Sequence, residues 1–249
     1  MLPMITVCIL AKNSASTIEK TLASVQTFAE VVLLDNGSCD DTVAIARQYP
    51  NVRVISHPFI GFGPLRNVAA SHALNDWILA LDTDEELSDA LIQEIASLPL
   101  NAACAYSISR HNFYNGRHIK GCGWYPDRVI RLYHRKTAHY SDSQVHESVK
   151  GYNINITPLA SPIFHVPFRS TAEFLAKMEH YSTLYALQHK HKKKSSPAKA
   201  VLHSVFSFIR SYFFQKGFLL GAEGFIVSLY SSNTVFYKYI KLWETNKTA

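Results

Sequence analysis

Short apolar runs recur along the first hundred positions, and amphipathic stretches separate them. Residues 4–10 (Met-Ile-Thr-Val-Cys-Ile-Leu), 31–34 (Val-Val-Leu-Leu) and 77–81 (Trp-Ile-Leu-Ala-Leu) are almost wholly apolar, and Val52–Ser56 reads as a further strand. Runs of strand length without polar alternation suit strands covered on both faces, as in a parallel sheet. Between them, Ile18, Leu22 and Val25 recur at helical spacing, with Ser14 or Ser16 placed to cap the segment. Asp40-Asp41-Thr42 opens a second helix through Val43, Ala44 and Ile45, and Gly61-Phe62-Gly63-Pro64 is a turn before a third over 66–74. A fourth follows the acids after Leu81, with Leu87, Leu91, Ile92 and Ile95 on one face and Glu85 and Glu86 in its first turn. Strand alternating with helix predicts an α/β sheet with right-handed crossovers.

The rhythm then changes twice. Residues 104–113 read as a strand, Asn115-Gly116 as a hairpin signal before 117–119, 121–127 as irregular, and 128–133 as another strand. From Pro167 the period becomes helical: Phe174, Leu175, Met178, Tyr181, Leu184 and Tyr185 recur at spacings of three and four. A basic connector, 189–197, reads as mobile, and 201–230 is largely aliphatic and aromatic, divided into two helices by Gly217, Gly221 and Gly224. The expected organisation is a catalytic domain over 1–166, with halves at about 1–100 and 101–166, and a basic amphipathic helical extension over 167–249.

Charge sharpens this division. The net charge of +6 is the sum of −7 in residues 1–100 and +13 in 101–249. Such asymmetry joins a metal-and-nucleotide half to a half that faces something anionic. Basic residues beside aromatic helices suit attachment to an anionic membrane surface. Cys8, Cys39, Cys104 and Cys122 have no metal-site spacing and read as apolar residues of a reducing compartment. The first seven residues lack a basic stretch and a signal-length apolar run, which predicts a cytoplasmic protein, and no uncharged run reaches the roughly 18 residues of a membrane span.

The chemistry gathers where strands end, because ligands of such sheets collect beyond the strands' carboxyl ends. Asp82 and Asp84 follow a buried strand two residues apart, so both can reach one site. Like charges this close cost free energy unless a cation offsets them, and a hard divalent ion held by carboxylates and substrate phosphates fits. Asp35, at the tip of the second strand, can accept hydrogen bonds from a base or ribose while Gly37 admits close backbone approach; alternatively it stabilises its own turn.

Taken together, Ile-Leu-Ala-Lys-Asn (9–13), Leu-Leu-Asp-Asn-Gly-Ser-Cys-Asp-Asp-Thr (33–42), Gly-Phe-Gly-Pro-Leu-Arg-Asn (61–67) and Leu-Asp-Thr-Asp-Glu (81–85) resemble the family 2 glycosyltransferases of GT-A fold. More narrowly, the chain resembles bacterial lipopolysaccharide-core β-1,4-glucosyltransferases, a likeness that Gly217 to Phe225 extends toward the C-terminus. The resemblance implies a GT-A mixed sheet flanked by helices with a C-terminal helical extension. It implies nucleotide-sugar contacts from Ala11, Asn13, Asp35, Arg66 and Asp82, with Asp35 and Arg66 at the uracil end. Asp84, with Asp82 nearby, would ligate Mg²⁺ or Mn²⁺ on the diphosphate. Ser14 departs from the pattern, since many relatives carry an acid after the Asn.

The resemblance also places an acidic pair after the basic strand, its last member the base; His146-Glu147 holds that position, which makes Glu147 the candidate and Asp127 its rival. An inverting transfer needs such a carboxylate to take the acceptor hydroxyl proton. Trp124 and Tyr125 are a candidate sugar-stacking pair, and Arg128 and Arg131 are read as sharing a strand face toward acceptor phosphate. The processive Gln-x-x-Arg-Trp signature does not occur, which predicts single-sugar addition. The expected activity is inverting, metal-dependent transfer of a hexose, glucose by resemblance, from a UDP-sugar to a lipid-anchored heptose acceptor of the lipopolysaccharide inner core. That acceptor would be met peripherally on the inner face of the inner membrane. Another UDP-sugar or acceptor is the near alternative; a basic nucleic-acid-binding module is the distant one, disfavoured because no nucleic-acid motif is present. No obligate protein partner is evident.

Overall fold

The computed structural model describes residues 2–142 and 147–247, in two compact units. The first comprises Met1–His111 and Asp127–His165, the second Asn112–Pro126 and Val166–Ala249. The irregular segment after position 111 therefore groups with the C-terminal helices, and otherwise the division falls one residue before the expected boundary.

In the first unit the chain runs β1 (Leu2–Ala11), α1 (Ile18–Ser24), β2 (Phe28–Asp35), α2 (Thr42–Ala46), β3 (Val52–Ser56), α3 (Phe62–Ser71) and β4 (Trp77–Asp82). Then come β5 (Glu85–Leu87), α4 (Asp89–Ser97) and the start of β6 (Cys104–Tyr114), which runs on into the second unit to pair with β7 (Arg117–His118). The first unit resumes with β8 (Arg128–His134), β9 (Ala138–Tyr140), β10 (Val149–Gly151) and β11 (Asn155–His165). Its principal sheet has the order β3-β2-β1-β4-β8-β6-β11-β5. The first four strands are parallel, as their apolar runs require; β8 joins β4 antiparallel, and β6 joins β8 likewise.

Burial follows the strand period of two. Ile5, Val7, Ile9 and Ala11 face one core with Ile18, Leu22, Leu91 and Ile95, whereas Cys8 faces another with Leu34, Leu65, Ile78 and Tyr133. Both faces of β1 and β4 are thus covered, which explains why polar alternation is missing there.

Three local expectations change. The N-cap of α1 is Thr17, without a side-chain cap, rather than Ser14 or Ser16: the Ser14 carbonyl accepts from the Thr17 and Ile18 amides, and its own amide donates to Thr42 Oγ1 at 2.7 Å. α3 begins at Phe62, with Pro64 inside its first turn, where the absent N–H removes no intrahelical bond. Glu85 and Glu86 do not open α4. They lie in β5, paired with β11, and the helix starts after Ser88, whose Oγ accepts from the Leu91 amide.

The second unit contains β7 and the helices α5 (Thr171–His189), α6 (Pro197–Ile209) and α7 (Gly221–Lys247), with a π-turn at Arg210–Phe214 and a 3₁₀ turn at Gly217–Leu220. The break between α6 and α7 lies where the glycines predict it, except that Gly224 is inside α7. A Cβ there would sit 1.9 Å from the Gly217 carbonyl oxygen, so Gly224 serves close backbone approach. The connector read as mobile is fastened: Asn246 accepts from the His191 amide at 2.8 Å and donates to the Lys193 carbonyl at 2.9 Å.

Candidate active site

Register brings the strand tips together. Leu10 on β1 is level with Asp82 on β4, and Ala11 with Asp35 on β2. These carboxyl ends lie at the point where the strand order reverses, β1 having β2 on one side and β4 on the other.

Asp35 is buried and accepts from the Gly37 amide at 3.2 Å and the Ser38 amide at 3.2 Å. Gly37 has φ +95°, and a Cβ there would meet nothing within 4 Å, so glycine is needed for conformation, not for clearance. Asn13, itself at positive φ, ties this loop down: its side-chain oxygen accepts from the Cys39 amide at 2.8 Å, and its amide donates to Ser38 Oγ. Ser14 Oγ accepts from Thr83 Oγ1 at 2.9 Å.

From the tip of β4 runs a ribbon of alternating charge. Arg66 on α3 donates through Nε to Glu147 Oε1 at 3.1 Å and through Nη2 to Asp82 Oδ1 at 2.5 Å. The other oxygen of Asp82 accepts from Arg131 on β8, whose guanidinium also meets Glu85 Oε1 at 2.5 Å. Glu85 in turn accepts from Arg110 on β6 at 3.2 Å, and Arg110 donates to Asp127 at 2.9 Å. Glu85 is fully buried, and Arg66 and Arg131 are 4% exposed.

Burial by itself raises the Asp82 carboxyl, but the charges of Arg131 and Arg66 outweigh it and hold the group well below the ordinary carboxylate range. Burial likewise weakens the hold of Arg66 and Arg131 on their protons, and the facing carboxylates reverse the effect, raising both. The cation that offsets Asp82 is therefore guanidinium.

Asp82 and Asp84, the expected metal ligands, meet different partners. Both oxygens of Asp82 are taken by arginines, and Asp84 stands instead beside His165, at the end of β11, with Oδ1 and Nε2 3.5 Å apart. Two donors sharing one octahedral ion with bonds of about 2.1 Å lie roughly 3 Å apart, so this pair fits a divalent cation with little adjustment. Among the described residues no cluster of three His, Cys, Asp or Glu could hold a metal, so the remaining ligands would come from water or substrate, the habit of Mg²⁺ at phosphate sites.

A cavity of about 380 Å³ opens on the ribbon, lined by Arg66, Asp82, Arg110, Arg128, Arg131 and Glu147 together with Tyr140. Arg66 Nη1 and Arg131 Nε are buried donors with no hydrogen-bond partner among the described residues. The arrangement can bind an anion and place a carboxylate beside it.

Of the expected acceptor residues, Arg128 and Arg131 both line this cavity. Three apart on a regular strand they would point to opposite faces, but the register of β8 against β6 shifts beside Arg131. Arg131 is buried in the ribbon, whereas Arg128 is exposed and donates to the Leu159 carbonyl at 3.1 Å. Trp124 belongs to the second unit and packs edge-on against Phe168 at 5.7 Å. His146 lies outside the described residues. Sequence reasoning missed Glu85, Arg110 and His165; a charged residue in mid-strand, as Arg110 is in β6, is the signal that marks a buried ion pair.

The parallel strands of this mixed sheet thus end at an arginine-lined cavity and an Asp–His pair. Residues 6–154 match the family model for glycosyl transferase family 2, and the chain belongs to that family. An uncharacterized glycosyltransferase of Rickettsia typhi is 31% identical over 95% of this chain and 85% of its own length. The lipopolysaccharide core biosynthesis glycosyltransferase LpsC of Rhizobium meliloti is 27% identical over 95% and 90%. Among solved structures, residues 1–349 of S. aureus TarS in complex with UDP-GlcNAc superpose with TM-score 0.49 at 16% identity, covering 100% of this chain and 90% of that one. The expected α/β mixed sheet and glycosyltransferase activity stand.

Proposed function

We propose that this glycosyltransferase moves a hexose, glucose by the resemblance, from a UDP-sugar to a heptose of the lipopolysaccharide inner core, with inversion. The likeness to LpsC supports the lipopolysaccharide core as acceptor. The acceptor would then be a lipid-anchored saccharide met at the cytoplasmic face of the inner membrane.

Glu147 is the proposed base. It takes the proton of the acceptor hydroxyl as that oxygen bonds to the anomeric carbon, while the bond from that carbon to the diphosphate oxygen breaks and its electrons leave with UDP. One observation carries the assignment: Glu147 lines the same cavity as Arg66, Arg131 and Arg110, whereas Asp127 is bound to Arg110 and does not line it. The arginines stabilise charge on the departing diphosphate, and their fixed ion pairs keep them oriented before the substrate arrives. Asp35, Arg66 and the Ala11-to-Asn13 turn form the proposed nucleoside end. Asp84 and His165 would hold Mg²⁺ or Mn²⁺, which when bound supplies positive charge to the leaving group.

Glu147→Gln should keep UDP binding and lower turnover by about 10²- to 10⁴-fold, measured as transfer or donor hydrolysis across a panel of UDP-sugars. Near-normal turnover would contradict the assignment and move the base to Asp127.

A further inference from the structure

In the second unit α6 is packed inside out. Its inward face is small and hydroxylated: Ala200 is fully buried, and Ser204 Oγ meets Ser232 Oγ of α7 at 2.8 Å while also bonding the Ser232 carbonyl at 3.1 Å. Just past the helix, Ser211 is buried and its Oγ donates to Ser228 Oγ of α7 at 2.9 Å. The large apolar side chains face outward. Leu202 is 71% exposed, Phe206 61%, Phe214 76% and Leu219 62%, with Ile209 between them in the stripe. A helix packed for water does the reverse. Small residues between helices with large apolar ones outside is how helices pack when hydrocarbon surrounds them.

Charge identifies the surroundings further. Between Glu179 and Glu223 there is no acidic residue, while Lys190, Lys192, Lys193, Lys194, Lys199, Arg210 and Lys216 fall in that interval. At 13 residues α6 is about 20 Å long, too short to cross a hydrocarbon core of about 30 Å, and no helix among the described residues is long and apolar enough to do so.

We propose that α6 and the turns through Leu220 lie in the plane of an anionic bilayer, with Leu202, Phe206, Phe214 and Leu219 among the upper acyl chains and the lysines and arginines at the headgroup phosphates. This names the surface by which the enzyme reaches its acceptor and rests on the lipid-anchored acceptor for its purpose alone, since vesicle binding is read without sugar transfer.

The test is flotation of the full chain with vesicles of phosphatidylcholine, and of phosphatidylcholine with phosphatidylglycerol. The wild type should float with the anionic vesicles, less with the neutral ones, and less as salt rises. Leu202→Glu with Phe214→Glu should lower partitioning about tenfold or more, with circular dichroism and UDP binding in solution unchanged. Lys192→Gln with Lys194→Gln should weaken binding to the anionic vesicles only. A wild type that floats with neither vesicle, or partitioning indifferent to the apolar substitutions, would overturn the proposal. So would a dimer in sedimentation equilibrium that the same substitutions dissociate. Vesicle binding without sugar transfer would instead strike the functional reading and leave this one standing.

Discussion

Charges occupy the inside of the first unit: Arg66, Glu85 and Arg131 sit out of water among apolar strands, each facing an opposite charge. In the second unit Leu202, Phe206 and Phe214 face solvent, while Ala200, Ser211, Ser228 and Ser232 are buried. Both departures from ordinary burial need a compensating feature. In the first it is internal, an unbroken alternation of sign from Glu147 to Asp127, completed by the protein itself. In the second it lies outside the chain, in whatever covers the apolar stripe. Ordinary core packing explains neither surface, and each marks a place where the molecule meets something else.

The comparison is broken most forcefully by removing one member of the ribbon. Arg131→Met leaves Asp82 and Glu85 without a shared cation, one of them fully buried, and should destabilise the protein by about 3–5 kcal/mol in urea unfolding. A loss below about 1 kcal/mol would mean that the ribbon is decoration.

A smaller effect tests the second unit. Gly224→Ala places a Cβ against the Gly217 carbonyl and should cost about 1–3 kcal/mol through overpacking, read as a lowered thermal midpoint. An unchanged midpoint would show that the α7 contact with the 3₁₀ turn is loose.

The smallest effect is on pH dependence. The Asp82 carboxyl is held below its ordinary value, so its ionised form stabilises the fold above about pH 4, and this contribution is lost as pH falls through the folded-state pKa. Asp82→Asn should therefore flatten the acid limb of the stability profile. An identical acid slope in the variant would contradict the pairing.

The sequence discloses these two regions unequally. The parallel strands were legible because a covered strand writes its burial as a local apolar run, and Asp35 and Asp82 mark the tips of two of them. Their partners were not. Arg131 reaches Asp82 from 49 positions away, through an antiparallel strand whose placement no local pattern reports. His165 meets Asp84 from the end of β11 by the same route. Arg128 and Arg131 line one cavity although they stand three apart, and the register shift beside Arg131 that interrupts the strand period leaves no mark in the local pattern. The acids after Leu81 misled for a physical reason: Glu85 matched the first turn of a helix but was needed in a strand to face two arginines. In α6 the apolar stripe was plain, but a stripe looks alike whether it faces a core or a membrane. Only the small residues found against α7 decide the direction.

The carboxyl ends of these strands are proposed to grip a nucleotide diphosphate through arginines and an Asp84–His165 cation site. Calorimetric titration of UDP into the wild type, Asp84→Asn and His165→Ala, each with and without Mn²⁺, tests it most directly. Wild-type binding should be strengthened by Mn²⁺, and both variants should lose that dependence with folding intact. Equal Mn²⁺ dependence in all three proteins would contradict it.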